Sequence, residues 1–276
     1  MGQATSPHRA EDLAAGYTRA QHLTNIGGLL VFGTLSVYCA YRIVATANAE
    51  DTGWLALATL LGIIVADVLT GIVHWACDSW GKPDSWVFGK VFIRSFREHH
   101  VDEKAITRHP FVQTNGEQTL AGFPMLLLLL YFGADLSELW SRFCFCLFFH
   151  VIFWAIAANQ FHKWAHQDDA PALANWLMRA RLIIGRERHK VHHTAPYTTY
   201  YCMVTGWMNE PLHRIRFFRA LEHIVHKLTG ALPREDDLGR EVAQRLLDGD
   251  LPGTDPTTVL ELNSRVLEFN ARADRE

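Results

Sequence analysis

Residues 54–78 read WLALATLLGIIVADVLTGIVHWACD. Through Val73 the run is apolar apart from scattered small polar residues and Asp67, and it matches the roughly 20 residues a helix needs to cross the hydrocarbon core. It then delivers His74 and Asp78, four residues apart, so both project from one side if the helix continues. A membrane span that ends in a pair of metal-ligand side chains sets the terms for the rest of the chain. Three further apolar segments surround it, at about 26–48, 120–136 and 143–161, of which 120–136 is short and has Pro124 near its start. The fold expected is all-α: a four-helix transmembrane bundle with a cytosolic helical cap. Residues 1–22 form a polar leader without the pattern of a secretory signal, 23–238 the membrane domain and 239–276 a charged tail.

Lys and Arg orient the spans, because cytosolic loops are enriched in them. The linker 45–53 has none and 137–142 has only Arg142, whereas the loop 74–119 carries Lys82, Lys90, Arg94, Arg97, Lys104 and Arg108. Basic residues also fill the chain beyond His162. Both termini and the long loop are therefore expected in the cytosol, at the bacterial inner membrane or, in a eukaryote, the endoplasmic reticulum. The averages over 276 residues are unremarkable: 49% hydrophobic, 20% charged, net charge −3. That near-neutral charge excludes a general nucleic-acid binder, and the five Cys contain no C-x-x-C pair from which a zinc ribbon or disulfide framework reads.

Histidine is the exception, with 15 residues, most of them clustered on the cytosolic face. His162 and His166 are four apart. His189, His192 and His193 stand at i, i+3 and i+4 of one helical face, and His99, His100 and His109 form a less regular group in which adjacent rings point about 100° apart and are able to serve different metals. Neutral imidazole is a common transition-metal ligand. Nine patterned His plus Asp78 exceed the three or four protein ligands of one zinc-type site, so two metals are implied, with His74, Asp78, His99, His100, His109, His162, His166, His189, His192 and His193 as ligands. Glu98 and Asp102 are placed as carboxylates that orient the rings. The pair of E-x-x-H motifs used by soluble di-iron bundles is missing, since the pattern occurs once, at Glu210–His213, and nucleotide and haem-attachment motifs are missing too, so electrons come from a separate protein. Arg179, Arg181, Arg186 and Arg188 are planar forks suited to a lipid phosphate.

Several non-histidine words join these clusters in order: His74-Trp75, Phe96-Arg97-Glu98-His99-His100, Ile106-Thr107-Arg108-His109, Thr114-Asn115-Gly116-Glu117, His162-Lys163-Trp164-Ala165-His166 and Thr205-Gly206-Trp207-Met208-Asn209. Over residues 54–238 the chain resembles the plasmanylethanolamine desaturase family. That resemblance implies O2-dependent conversion of the 1-O-alkyl chain of an ether phospholipid to the vinyl ether of a plasmalogen. It implies two Fe ions as cofactor and an external electron carrier, a b-type cytochrome or ferredoxin. One departure is Pro110, where the family pattern has an acidic residue after the histidine. The residues alone leave two alternatives open: a fatty-acyl or phosphatidylglycerol desaturase or lipid hydroxylase on the same site, and a non-catalytic membrane protein that binds metal.

Overall fold

The computed structural model describes residues 17–80, 99 and 102–261. Among them the chain is helical, with no strand. Helix α1 (Arg19–Thr46) starts at a capping box in which Gln21 N–H donates to Thr18 Oγ1 and Thr18 N–H to Gln21 Oε1. A single 3-10 turn, Ala49–Asp51, leads into α2 (Thr52–Ser79). After the short α3 (Ala105–Arg108) come α4 (Phe111–Phe132) and α5 (Leu139–His166). The remaining elements are α6 (Ala172–Arg179), α7 (Arg186–His192), α8 (Asn209–Arg214), α9 (Phe217–Thr229), α10 (Glu235–Leu238) and α11 (Arg240–Asp248).

Among the described residues, three helices are long and apolar enough to cross a membrane: Arg19–Thr46, Ala49–Ser79 including the 3-10 turn, and Leu139–His166. Exposed Val37, Val44, Leu69 and Phe148 on their outer faces suit a lipid environment. The segment expected as a further span is the second half of α4. It is not among the three, because its helix opens with the polar run Gln113, Thr114, Asn115, Glu117, Gln118 and Thr119 and stops at Phe132. Helix α4 nonetheless packs along α1 and α5, and α2 along α5. The α2–α5 approach is close enough that a Cβ at Gly62 would lie 2.7 Å from His150 Cβ and 2.8 Å from the Leu147 carbonyl, the kind of contact small residues permit between membrane helices.

Two arginines close the end of the bundle remote from the histidines. Arg42 donates to the carbonyls of Gly133 and Ala134 (both 2.9 Å), capping α4. Arg142, expected in a linker, lies in the first turn of α5 and is buried; its Nε lies 2.7 Å from Asp51 Oδ2, and Nη1 donates to Leu136 O. Pro110, the departure noted above, is the N-cap of α4, where a missing N–H costs nothing.

At the other end, residues 167–261 fold over the C-terminal turns of α2 and α5. Their anchor is Asp67, fully buried in α2, whose carboxylate accepts from the N–H groups of Val204, Thr205, Gly206 and Met208 at 2.9–3.1 Å and from Thr205 Oγ1. Removing it would leave several buried donors unmatched. The Asp67→Ala variant is expected to lose at least about 3 kcal/mol of stability, and Asp67→Asn less, because one carbonyl acceptor survives. Thermal unfolding of detergent-purified protein checks the order, and equal midpoints for wild type and alanine variant would contradict it.

Candidate metal centre

The last turn of α5 brings His162 and His166 to one face, and α7 does the same for His189 and His193, the latter its C-cap. Helix α7 is set in place by Arg186 Nε donating to Gln167 O just past α5 (2.8 Å) and by Ile184 N–H donating to Val204 O beside Asp67 (2.9 Å). With His99 these rings form one buried group whose ligand atoms all lie within 4.8 Å of one another. Nε2 of His162 is 2.8 Å from Nε2 of His99, His166 is 3.1 Å from His99 and 3.2 Å from His162, His189 is 2.6 Å from His166, and His193 is 2.9 Å from His189.

These spacings fit a shared cation. Nitrogens about 2.1 Å from one ion are about 3.0 Å apart at right angles and about 3.4 Å apart at the tetrahedral angle. Hydrogen bonds alone do not account for five nitrogens meeting at a point, since each neutral ring has one donor and one acceptor nitrogen. Burial, followed by the adjacent rings of His166 and His193, pushes the pKa of His189 well below its ordinary value, so it stays in the neutral form that binds metal.

A second buried group comprises His74, Asp78 and His192. Asp78 Oδ2 lies 3.1 Å from His74 Nε2 and 3.3 Å from His192 Nε2. The opposite nitrogens are held by backbone carbonyls, His74 Nδ1 by Tyr201 O (3.1 Å) and His192 Nδ1 by Thr199 O (3.2 Å). With Nδ1–H donating, each Nε2 presents a lone pair toward the carboxylate, an arrangement that a cation makes favourable. The two groups adjoin: the ring centroids of His74 and His162 are 5.8 Å apart, as are those of His189 and His192. The H-x2-H-H motif is thus divided, His189 and His193 facing one group and His192 the other. Together the eight residues can hold two ions in neighbouring sites.

The other sequence candidates fall in different places. His109 stands outside both groups among the described residues; it lines a small pocket with His99, His162 and Glu117, and its carbonyl accepts from Lys163 Nζ. Asp102 is engaged by Arg108, which holds its carboxyl below the ordinary range, rather than by a ring. Glu103, not singled out from sequence, is the carboxylate near His193, with Oε1 3.8 Å from Nδ1. Glu98 and His100 lie outside the described residues. His213 meets Thr199 Oγ1 at 2.9 Å, and the carbonyl of that threonine orients His192.

Arg179, Arg181, Arg186 and Arg188 line one cleft of about 630 Å³, together with Asn175 and Thr205. Arg186 is braced by Asn175 Oδ1 (2.9 Å) and Arg188 by Gly206 O (3.1 Å), so the two forks are held in place. Beside the cleft runs an apolar groove of about 740 Å³ between α1, α4 and α5. Ile183 and Thr205 border both.

Comparison with known proteins gives the family. Residues 63–236 match the family model described as lipid desaturase domain. The chain is 45% identical to the plasmanylethanolamine desaturase of Myxococcus xanthus over 86% of its own length and 84% of the relative's. It is 38% identical to plasmanylethanolamine desaturase 1 of Mus musculus, covering 83% of this chain and 86% of that one. Fatty acid desaturase 4, chloroplastic, of Arabidopsis thaliana is 35% identical over 73% of this chain and 61% of its own. No solved structure matches the chain.

Two adjoining ligand groups predict two bound ions per chain by elemental analysis. His166→Ala should lower the content by one ion through the five-histidine group, and His192→Ala by one through the other. A wild-type chain that carries a single ion after metal reconstitution would contradict the division.

Proposed function

The chain belongs to the lipid desaturase family, and from that premise we propose that its substrate is an ether phospholipid whose 1-O-alkyl chain becomes the vinyl ether of a plasmalogen. The observation that carries this reading is the pair of buried ligand groups at the ends of membrane-crossing helices. The names of the bacterial and mouse relatives support the substrate. The ligands are the eight residues of the two groups, with His100 and His109 retained as further candidates from the sequence and Glu98 as an orienting carboxylate.

Taking hydrogen from two adjacent unactivated carbons has no simple proton-transfer route. Two irons held by these residues would supply the oxidising power, with O2 as co-substrate. The balance is –CH2–CH2– + O2 + 2e⁻ + 2H⁺ → –CH=CH– + 2H2O, the electrons coming from an external carrier of the b-type cytochrome or ferredoxin class. The protein's part is positional. Tyr201 O and Thr199 O fix the tautomers of His74 and His192, and the surrounding burial keeps bulk water from the rings.

The vinyl ether forms beside the ether oxygen, so the glycerol backbone has to approach the ligands while the phosphate stays within reach of a cation. Helix α7 offers both functions in one turn, with Arg186 and Arg188 preceding His189 and His192. We assign the substrate phosphate to the cleft of Arg179, Arg181, Arg186 and Arg188. Both termini and this cleft lie on the cytosolic side in this reading, following the distribution of Lys and Arg.

Expression in a host that supplies alkyl-acyl phospholipids, followed by lipid analysis, tests the reaction. Vinyl ethers are expected. Acyl double bonds without vinyl ethers would replace this substrate with that of the chloroplast relative, hydroxylated chains would change the reaction, and metal binding without lipid change would remove the enzyme. For the phosphate, Arg179→Gln and Arg181→Gln are expected to raise KM about tenfold, the loss of one charged contact, with metal content unchanged. Wild-type KM in all four single Arg→Gln variants would move the phosphate elsewhere.

A further inference from the structure

We infer that the apolar groove is the seat of the second chain of the substrate, the 2-acyl chain that is not oxidised. This rests on the phospholipid reading above. Helix α5 presents the groove and the metal ligands on different faces. Ala157, Gln160, Phe161 and Trp164 line the groove, while His162 and His166 stand about 140° and 180° around the helix from Ala157 at about 100° per residue. Helix α4 divides in the same way. Phe111, Asn115 and Thr119 face the groove, and Gln113, Thr114, Glu117 and Gln118 face the pocket against His99 and His162.

A chain lying in the groove therefore has the body of α5 between its methylenes and the ligands, and it cannot be the chain that reacts. A phosphate in the arginine cleft nevertheless leaves its glycerol next to the groove, because Ile183 and Thr205 belong to both walls. Two chains leave that glycerol. One must turn to the histidines, and the groove is the apolar place for the other. Its wall accepts hydrocarbon despite two amides, since Asn115 Nδ2 donates to Gln160 Oε1 at 2.8 Å and to Phe111 O at 3.1 Å. Gly33 leaves the space open: a Cβ built there meets no heavy atom within 4 Å.

The test uses the full chain in nanodiscs and a 1-O-alkyl-2-acyl phosphatidylethanolamine carrying a diazirine midway along the 2-acyl chain. After irradiation, label is expected on residues 29–33, on Phe153, Trp154, Ala157, Phe161 and Trp164 of α5, and on Phe111. Gly33→Trp, which fills the groove, should reduce that label about tenfold, the effect of displacing two methylenes. Ala157→Phe serves as a second obstruction from the opposite wall if the first variant fails to fold. The same reduction is expected from Arg179→Gln with Arg181→Gln, which loosens the phosphate. Label spread over the outer faces of the spanning helices and insensitive to all these changes would mean ordinary bilayer lipid, and would overturn the assignment. So would label from the 2-acyl probe on Gln113, Thr114, Glu117 and Gln118, which face the pocket beside the histidines. Labelling needs no turnover, so the two readings fail separately. Groove label without vinyl-ether formation removes the reaction and keeps the lipid site, and vinyl ether without groove label does the reverse.

Discussion

A single carboxylate inside a membrane-crossing helix organises the site. An ionised Asp is costly there unless fully matched, and Asp67 is matched by four backbone N–H groups and one hydroxyl from residues 204–208. The exchange works in both directions, because the loop could not be buried with those donors unpaired. To wrap the carboxylate the backbone turns through positive φ at Gly206, where a Cβ would also strike Ile184 Cδ1 at 2.5 Å. Three consequences follow from the fixed loop. Tyr201 O faces His74, Val204 O accepts from Ile184 ahead of the ligand helix α7, and Thr205 stands between the arginine cleft and the apolar groove.

A second buried cluster holds the outer part of the cap to the same helix. Arg234, 1% exposed, places Nη1 2.8 Å from Glu222 Oε1 and 3.2 Å from both Ser79 Oγ and Tyr201 Oη, and its N–H donates to Ser79 O. Arg219 engages the other Glu222 oxygen. Buried ion pairs contribute little net stability against their desolvation cost, so their worth here is geometric. Burial raises the Tyr201 phenol above its ordinary pKa, which keeps its proton available to Tyr197 O while the oxygen accepts from Arg234. The residue whose carbonyl orients His74 is thereby held at both ends.

The helical class, the membrane-crossing character and most members of the two buried His-rich groups were legible because each is a local pattern. Apolar length reports a span, and i, i+4 spacing reports a shared face, as at His74 with Asp78 and at His162 with His166. The outer bounds were less legible: α2 and α5 continue into polar residues that hydropathy assigns to loops, since their last turns are the ligand-bearing ones. Asp67 carried a warning in its placement, but the partners that explain it lie some 140 positions along the chain, and no spacing rule connects them. Asp102 illustrates the opposite error. Its position beside a histidine cluster suggested a ring partner, and the neighbouring Arg108 claims it instead. Nothing in the sequence distinguished it from Glu103, which the fold turns toward His193.

The same angular arithmetic that reveals faces also shows why two ligand groups form rather than one. Along α7, His193 stands about 40° from His189 while His192 stands about 60° away in the other sense, so adjacent rings cannot converge on a common point. The i, i+4 pair joins His162, His166 and His99, and the intervening ring turns to Asp78. Helix α5 extends the principle through its whole thickness, because a helix bounded on one face by imidazoles has an opposite face free for hydrocarbon. Interleaving Gln160, Phe161 and Trp164 with His162 and His166 gives seven residues two environments, one polar and enclosed, the other continuous with the apolar groove. A helix with ligands on every face would expose imidazoles to lipid, where they are costly, and one with apolar residues on every face would hold no metal. The alternation within residues 160–166 gives one helix both an apolar face and a face able to hold metal.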